Sequence, residues 1–354
     1  MTIKTPKGAD KRVPLRARGL RVAGVATLAT VLLAGCATSS TASDESADGL
    51  THISFALSYL PDPALNGLAY ANEHGLFEDA GIAVDLVPWG STPSEQLVSS
   101  GQAQFGFSTD VRISLLAMAS GADLVSYMAG YAHVPYDLTV LADSDYNSPK
   151  DLAGEMYGGF GSPMEIAVVN DMIKADGGTE DAENVTLSSA AYDALAADRV
   201  ATILGFPGDN YAIEMGGNDI RTFDSRDYGV PDSYSYLLVS SKEYVEGNPE
   251  IAEAFVSALQ EGYKAAVADP DAANADLLTM FPDDLDPAVV EFVSDVQEEE
   301  LFVSPDGVFG SQTNDVWQQN ADWLIDKGLL VDESGEVLTE FDTSSLWDDS
   351  FLTP

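Results

Sequence analysis

The sequence predicts an α/β protein of two lobes, with mainly parallel sheets flanked by helices and a ligand cleft between the lobes. Three observations carry this expectation. Short strand patterns alternate with helical ones from residue 50 onward, the usual signature of a parallel sheet. About 300 residues follow an N-terminal leader, enough for two lobes with real cores. Apolar runs near 138–142 and 236–240 each lead out of one series of elements into another, so the chain should cross to a second lobe and return.

Ile53–Leu57 alternates like a strand and exits through Ser58-Tyr59-Leu60-Pro61-Asp62-Pro63. Leu65–His74 reads as a helix with Gly75 at its C-cap. Gly81–Pro88 is a second strand, with Trp89 and Gly90 in the loop beyond. Pro93–Ser100 is a short helix, Ala103–Ser108 a third strand, and Thr109 or Asp110 caps a helix through Met118. Leu124–Ala129 is a fourth strand. In such sheets ligands sit beyond the carboxyl ends of the strands. Tyr59, Trp89, Ser108–Asp110 and Tyr131 fall on that edge. Leu138–Ala142 is the strand whose exit leads to the second lobe, which opens at Ser148–Leu152.

Tyr157–Lys174 is the most informative stretch. Gly158, Gly159 and Gly161 let the backbone turn sharply and lie close to a ligand. Ser162 suits an N-cap, Pro163 the first helical position, and Glu165 has the capping-box spacing. Ile166, Val169 and Ile173 then recur at helical spacing. A glycine loop thus runs into a helix N-terminus, with Phe160 offering a flat face and Glu165 a pair of acceptors. The same residues also fit a plain capped helix in which Glu165 reaches back to the Ser162 backbone.

Val185–Leu187, Ala201–Gly205 and Ile220–Phe223 are further strands, with a short helix at Tyr192–Ala197 and a loop at Phe206–Asn210. Tyr236–Ser240 should return to the first lobe. From Ser241 the pattern is mostly helical: a helix from Asn248-Pro249-Glu250, then Pro270–Met280, Pro287–Glu299 and Asn314–Lys327. Trp317, Trp323 and Leu324 fit a core-facing stripe. The expected organisation is a leader over 1–35, a tether over 36–49, a first lobe over 50–142, a second over 143–236, and the first again over 237–354.

The leader is basic, with seven Lys or Arg before an apolar Val22–Leu33 that is too short for a comfortable membrane span. Leu33-Ala34-Gly35-Cys36 follows and resembles the bacterial lipobox, in which the leader is cut before the cysteine and the thiol is lipidated. That resemblance implies a protein held by its lipid on the extracytoplasmic face of the cell membrane. Cys36 is the sole cysteine, so no disulfide can form and no later cysteine can serve catalysis or a metal. Without the leader, 9 basic residues face 57 acidic ones, a net charge of about −48. A chain so short of basic residues is not built to bind nucleic acid. The acid reads as a solvated surface suited to a salt-rich habitat.

Catalytic grammar is missing. Gly159-Phe160-Gly161-Ser162 has the wrong order for a nucleophile elbow, and Gly159-x-Gly161 lacks the third glycine of a dinucleotide fingerprint. His52, His74 and His133 are scattered without metal spacing. No enzyme activity, cofactor or metal is expected.

Ala71-Asn72-Glu73-His74-Gly75-Leu76-Phe77 with Gly81-Ile82-Ala83-Val84, then Ser94–Phe107, then Ser148–Gly154, resemble in order the substrate-binding proteins of ABC importers. The branch is that of nitrate, sulfonate and thiamine-precursor binders. The resemblance spans roughly 50–240. It implies a periplasmic-binding-protein type II fold that closes on a small solute and hands it to permease subunits, acting as a monomer. Tyr157–Glu165 and Tyr59-Leu60-Pro61-Asp62 are similar to loops of the thiamine-pyrimidine binders, which take hydroxymethylpyrimidine-like or formylaminopyrimidine-like solutes. One departure is Tyr59 where those loops usually carry Trp.

On that resemblance, Tyr59, Trp89 and Phe160 would sandwich a ring, with Tyr131, Tyr136 and Phe206 nearby. Glu165 would accept from an amine and a protonated ring nitrogen, beside Gly161 and Ser162. Asp62, Asn66, Asp110 and Asn210 would satisfy the remaining polar edge. The alternatives are an alkanesulfonate such as taurine, nitrate, or a riboflavin-like ring, and, from another class, an exported enzyme on a similar ring. An anion would want helix N-terminal N–H groups and a base. Only Arg112, Lys150, Arg199 and Arg226 could supply the base.

Overall fold

A computed structural model describes residues 49–302, 304 and 307–354. The leader, Cys36 and the tether up to residue 48 lie outside the described residues.

The chain opens with β1 (Thr51–Ala56), α1 (Asn66–Glu73), α2 (Leu76–Asp79) and β2 (Ile82–Val87). There follow α3 (Ser94–Ser99), β3 (Phe105–Asp110), α4 (Val111–Ala119) and β4 (Val125–Tyr131). β2 and β3 flank β1 in parallel, in registers Ile53↔Val84 and Phe55↔Phe105. These strands therefore end on one edge and send the loops after them to the same side.

After β4 the chain crosses through 132–136 to a second set of strands. These are β5 (Asp137–Leu141), β6 (Met156–Gly159), β7 (Glu183–Thr186), β8 (Ile203–Gly205) and β9 (Ile220–Asp224). Between them stand α5 (Pro163–Ala175), α6 (Ala190–Ala196) and α7 (Pro207–Met215). β5 lies between β8 and β9 and is antiparallel to both. β6 and β7 run parallel, and a Tyr157↔Thr202 bridge ties them to the chain entering β8.

The return through 230–234 leads to β10 (Ser235–Ser240), which lies antiparallel between β3 and β4. Every residue of β10 is buried. The rest is helical: α8 (Lys242–Gly247), α9 (Pro249–Ala268), α10 (Pro270–Met280), α11 (Pro287–Val296), a π-helical turn at Gln297–Leu301, and α12 (Asn314–Asp326).

Two expectations need correction. Parallel pairing does not run throughout: the five-stranded sheet is mixed, β8-β5-β9 is antiparallel and β6-β7 is parallel, because β5 and β10 each enter their sheet directly from a crossing and run against their neighbours. The first lobe also cannot extend to residue 142. β5 pairs only within the second sheet, so the outward crossing precedes Asp137. A strand pattern carries no record of which sheet it joins.

Alternation along the strands builds a core on each face of the first sheet. Phe55, Phe105, Phe107 and Leu238 face α1 and α9, where Phe255 stacks on Phe105 with ring centres 4.3 Å apart. Ala56, Leu237 and Val239 face the other way, toward a cluster that includes Val98, Val111, Trp317 and Leu324. Trp317 and Trp323 are buried, as their helical stripe predicts.

The acidic run Glu298–Glu300 is exposed. With so few cations to offset the carboxylates, self-repulsion should dominate the surface field. The melting temperature should rise as salt goes from low to molar, because exposed charges are screened beyond a few ångström there. A midpoint indifferent to salt would refute this.

Candidate ligand-binding site

The loops after β1, β2 and β3 meet the loops after β6 and β8 around a cavity of about 660 Å³, within the range of small-molecule sites. Its walls are largely aromatic. Tyr59 lies between Trp89, 5.3 Å away by ring centres and tilted 59°, and Phe160, 6.1 Å away and edge-on. Trp89 and Phe160 are 41% and 40% exposed, so flat apolar surface stands at the rim where a ring could slide in. Deeper, Tyr131 packs against Tyr236 at 5.1 Å and Tyr136 against Phe206 at 5.7 Å.

The charge in the walls is all of one sign. Asp62, Asp110, Glu165, Asp209, Asp284 and Asp286 line the cavity, and no Lys, Arg or His does so among the described residues. Asp62 accepts from the Ala64 N–H at 2.8 Å and from the Tyr236 hydroxyl. Burial pushes its carboxyl up to about 6, with those two bonds pulling the other way. Burial likewise lifts Asp209 to about 6 against a hydrogen bond from Tyr192. The Tyr59 phenol is pushed up to about 12, first by burial and then by Asp209 and Asp62.

Glu165 shows how the local sequence builds the site. Ser162 caps α5, its hydroxyl accepting from the Glu165 N–H, and Pro163 opens the helix. The Glu165 carboxylate folds back over the glycine loop. It accepts from the Phe160 N–H at 3.0 and 3.2 Å and from the Gly161 N–H at 3.1 Å. The plain capping reading had it reach Ser162; the backbone it meets lies one and two residues earlier. Gly159 makes this approach possible, since a Cβ there would stand 2.6 Å from Glu165 Oε1. The carboxylate also lines the cavity, with the buried Tyr157 hydroxyl beside it.

Tyr59, Asp62, Trp89, Asp110, Phe160, Ser162 and Glu165 all line the cavity. Three expected residues do not. Asn66 is 1% exposed and turned into the core, donating to Gln297 Oε1 at 2.8 Å. Gln297 in turn donates to the Pro63 carbonyl and the Tyr131 hydroxyl, so Asn66 braces the first loop from behind. Asn210 is buried against β5 and β8, accepting from Thr139 Oγ1 and donating to the Gly205 carbonyl. Gly161 sits at φ +82° against Thr186, which explains the glycine but makes it a turn and not a wall. Asp110 does face the cavity, yet it also caps α4 and accepts from Arg112 and Ser233.

Sequence reasoning missed Tyr192, Asp209, Tyr236, and Val289 and Val293 of α11, all of which line the cavity. Asp209 is next to the chosen Asn210, and only the orientation of α7 decides between them. Tyr236 stands in a strand at φ +50°, a conformation rare for a bulky side chain and common near functional sites. Nothing in its neighbours signals that. Arg112, Lys150, Arg199 and Arg226, the bases an anion would need, are absent from the lining.

Residues 62–273 match the family model described as NMT1/THI5 like. A curated relative, the formylaminopyrimidine-binding protein of Halalkalibacterium halodurans, is 32% identical over 331 residues, covering 88% of this chain and 97% of the relative. Among solved structures, the alkanesulfonate-binding protein SsuA from Xanthomonas axonopodis pv. citri, bound to MOPS, aligns with TM-score 0.63 and 20% identity. That alignment covers 80% of this chain and 95% of that one. The desulfurization enzyme DSZB aligns with TM-score 0.54 and 16% identity, over 78% of this chain and 93% of its own. The two-lobed fold thus serves both a binder and an enzyme, and at these identities it says nothing of which.

Proposed function

The chain belongs to the NMT1/THI5-like family, and on that premise we propose that it is the solute-binding component of an ABC importer, capturing a thiamine-precursor pyrimidine outside the cytoplasm and delivering it to the permease. One observation carries the choice of solute: the cavity joins aromatic faces to carboxylates and holds no basic side chain among its described walls. An aminopyrimidine fits, being a flat ring whose edge donates through its exocyclic amine and any protonated ring nitrogen. A sulfonate or nitrate does not. It would meet Glu165 and Asp62 with no cation to offset them, and the Phe160 and Gly161 N–H groups are already given to Glu165.

The cavity volume favours one second reading, a larger ring such as riboflavin, because about 660 Å³ exceeds the needs of a single pyrimidine. Cys36 carries the lipid and the following residues form the tether. The lobes are 50–136 with 235–354, and 137–234, and the protein works as a monomer.

A thermal-shift series on the purified protein tests the solute. The panel holds hydroxymethylpyrimidine, formylaminopyrimidine, thiamine, riboflavin, taurine and nitrate. A ligand at about a hundred times its dissociation constant adds about 2.7 kcal/mol, a rise of several degrees. The expected result is a shift with the pyrimidines and none with the anions. A shift with taurine or nitrate alone overturns the choice of solute, and one with riboflavin alone selects the second reading.

A further inference from the structure

Arg112 was a possible anion contact by sequence, but its guanidinium lies behind the cavity wall, fully buried. Every arm of the fork is used. Nε donates to Asn320 Oδ1 at 2.7 Å and Nη2 to the Pro231 carbonyl at 2.5 Å. Nη1 donates to Asp110 Oδ2 at 3.2 Å and to the Tyr136 hydroxyl. Trp323 covers the guanidinium, 5.5 Å from its ring centre. Two further bonds complete the knot: Asn320 Nδ2 donates to the Asp232 carbonyl at 2.7 Å, and Ser233 Oγ to Asp110 Oδ1 at 3.0 Å.

These partners are not scattered. Tyr136 ends the outward crossing, and Pro231, Asp232 and Ser233 form the return crossing. Asp110 and Tyr136 are also cavity wall. One planar group therefore holds both covalent links between the sheets together with two ligand-facing side chains. His133 of the outward crossing adds a bond to Asp232 of the return, at 2.5 Å on the outer side.

We propose that Arg112 is the positioning residue of the site, fixing Asp110 and Tyr136 to both crossings so that ligand contact and the relation of the two lobes are set together. The proposal rests on the cavity being the solute site. The fork is what matters. A lysine keeps the charge but is a compact donor that cannot reach four acceptors in three directions.

The test compares Arg112→Lys with the wild type in two measurements: affinity for hydroxymethylpyrimidine, and amide hydrogen exchange of the ligand-free protein. Positioning predicts exchange at least about tenfold faster in the 132–136 and 230–234 segments, with β1 and α9 still protected. It also predicts roughly tenfold weaker affinity. Uniformly faster exchange, with the core losing protection alongside the crossings, would make Arg112 a general core residue and overturn the proposal. So would unchanged crossings, or faster crossings with unchanged affinity. If Arg112→Lys fails to fold, Asn320→Ala takes its place under the same readouts, since it removes one acceptor of the fork and touches no cavity surface. A wild type that binds no pyrimidine sinks the proposed solute. The exchange arm still decides whether Arg112 holds the crossings.

Discussion

Replacing Glu165 by glutamine should weaken pyrimidine binding by roughly ten- to hundredfold while leaving the fold intact. The carboxylate braces the glycine loop through the Phe160 and Gly161 N–H groups and lines the cavity, where the donors of a bound pyrimidine would meet it. An amide cannot do both. If its oxygen faces the two N–H groups, its NH₂ faces the ligand's own donors. If it flips, its NH₂ abuts the backbone donors and the loop loses its brace. Either way the charge is lost, and a hydrogen bond to a charged group contributes about 1.5–3 kcal/mol. The cost to folding is smaller, a fraction of a kcal/mol for one carboxylate in the first turn of α5. Isothermal titration of hydroxymethylpyrimidine into both proteins measures the difference, with melting curves as the control. Equal affinities would reduce Glu165 to a loop brace and remove the main polar contact from the proposed site.

The prediction can be this specific because the stretch around Glu165 was legible in the sequence. Cap, proline and glycines act over a few residues, so their order dictates their geometry. Ser162 does cap α5, and Gly161 does take the left-handed turn. Legibility ended where a tertiary neighbour decides orientation. Asp209 and Asn210 are consecutive on α7, about 100° apart around the helix. The packing of α7 turns one into the cavity and the other onto Thr139. Asn66 looked free because its partner Gln297 lies more than two hundred residues away. β5 has an ordinary strand pattern, and nothing local says that it pairs with β8 and β9 and not with β4. Val289 and Val293 lie on an amphipathic helix whose apolar face is readable and whose target is not.

The ligand-free protein should be more stable at pH 5 than at pH 7.5, with Asp62 and Asp209 supplying a measurable part of the difference. Both carboxyls ionise near 6 in the folded chain, against an ordinary value of 3.8. A raised carboxyl means that the folded state holds its proton more tightly. Its contribution to stability is complete below the unfolded value and is lost as pH rises through about 6. A shift of this size corresponds to about 2–3 kcal/mol for a dry group. Contact with the open cavity reduces that to roughly 1–2 kcal/mol each. The acidic surface also gains stability on acidification, so wild type alone does not isolate the pair. Asp209→Asn and Asp62→Asn do. Each variant should exceed wild type by roughly 1–2 kcal/mol at pH 7.5 and by about half as much at pH 5, where the unfolded carboxyl is already ionised, as read from denaturant unfolding at both values. A pyrimidine that brings amine donors or a positive charge should favour the ionised carboxylates. Binding would then release protons, and affinity would rise with pH through 6 while ligand-free stability falls. Calorimetry in two buffers of different ionisation enthalpy reads that release directly. Proton uptake that disappears in Asp62→Asn and Asp209→Asn would mean that the ligand meets these carboxyls in their neutral form, whereas uptake that persists in both variants would belong to the ligand's own ring nitrogen.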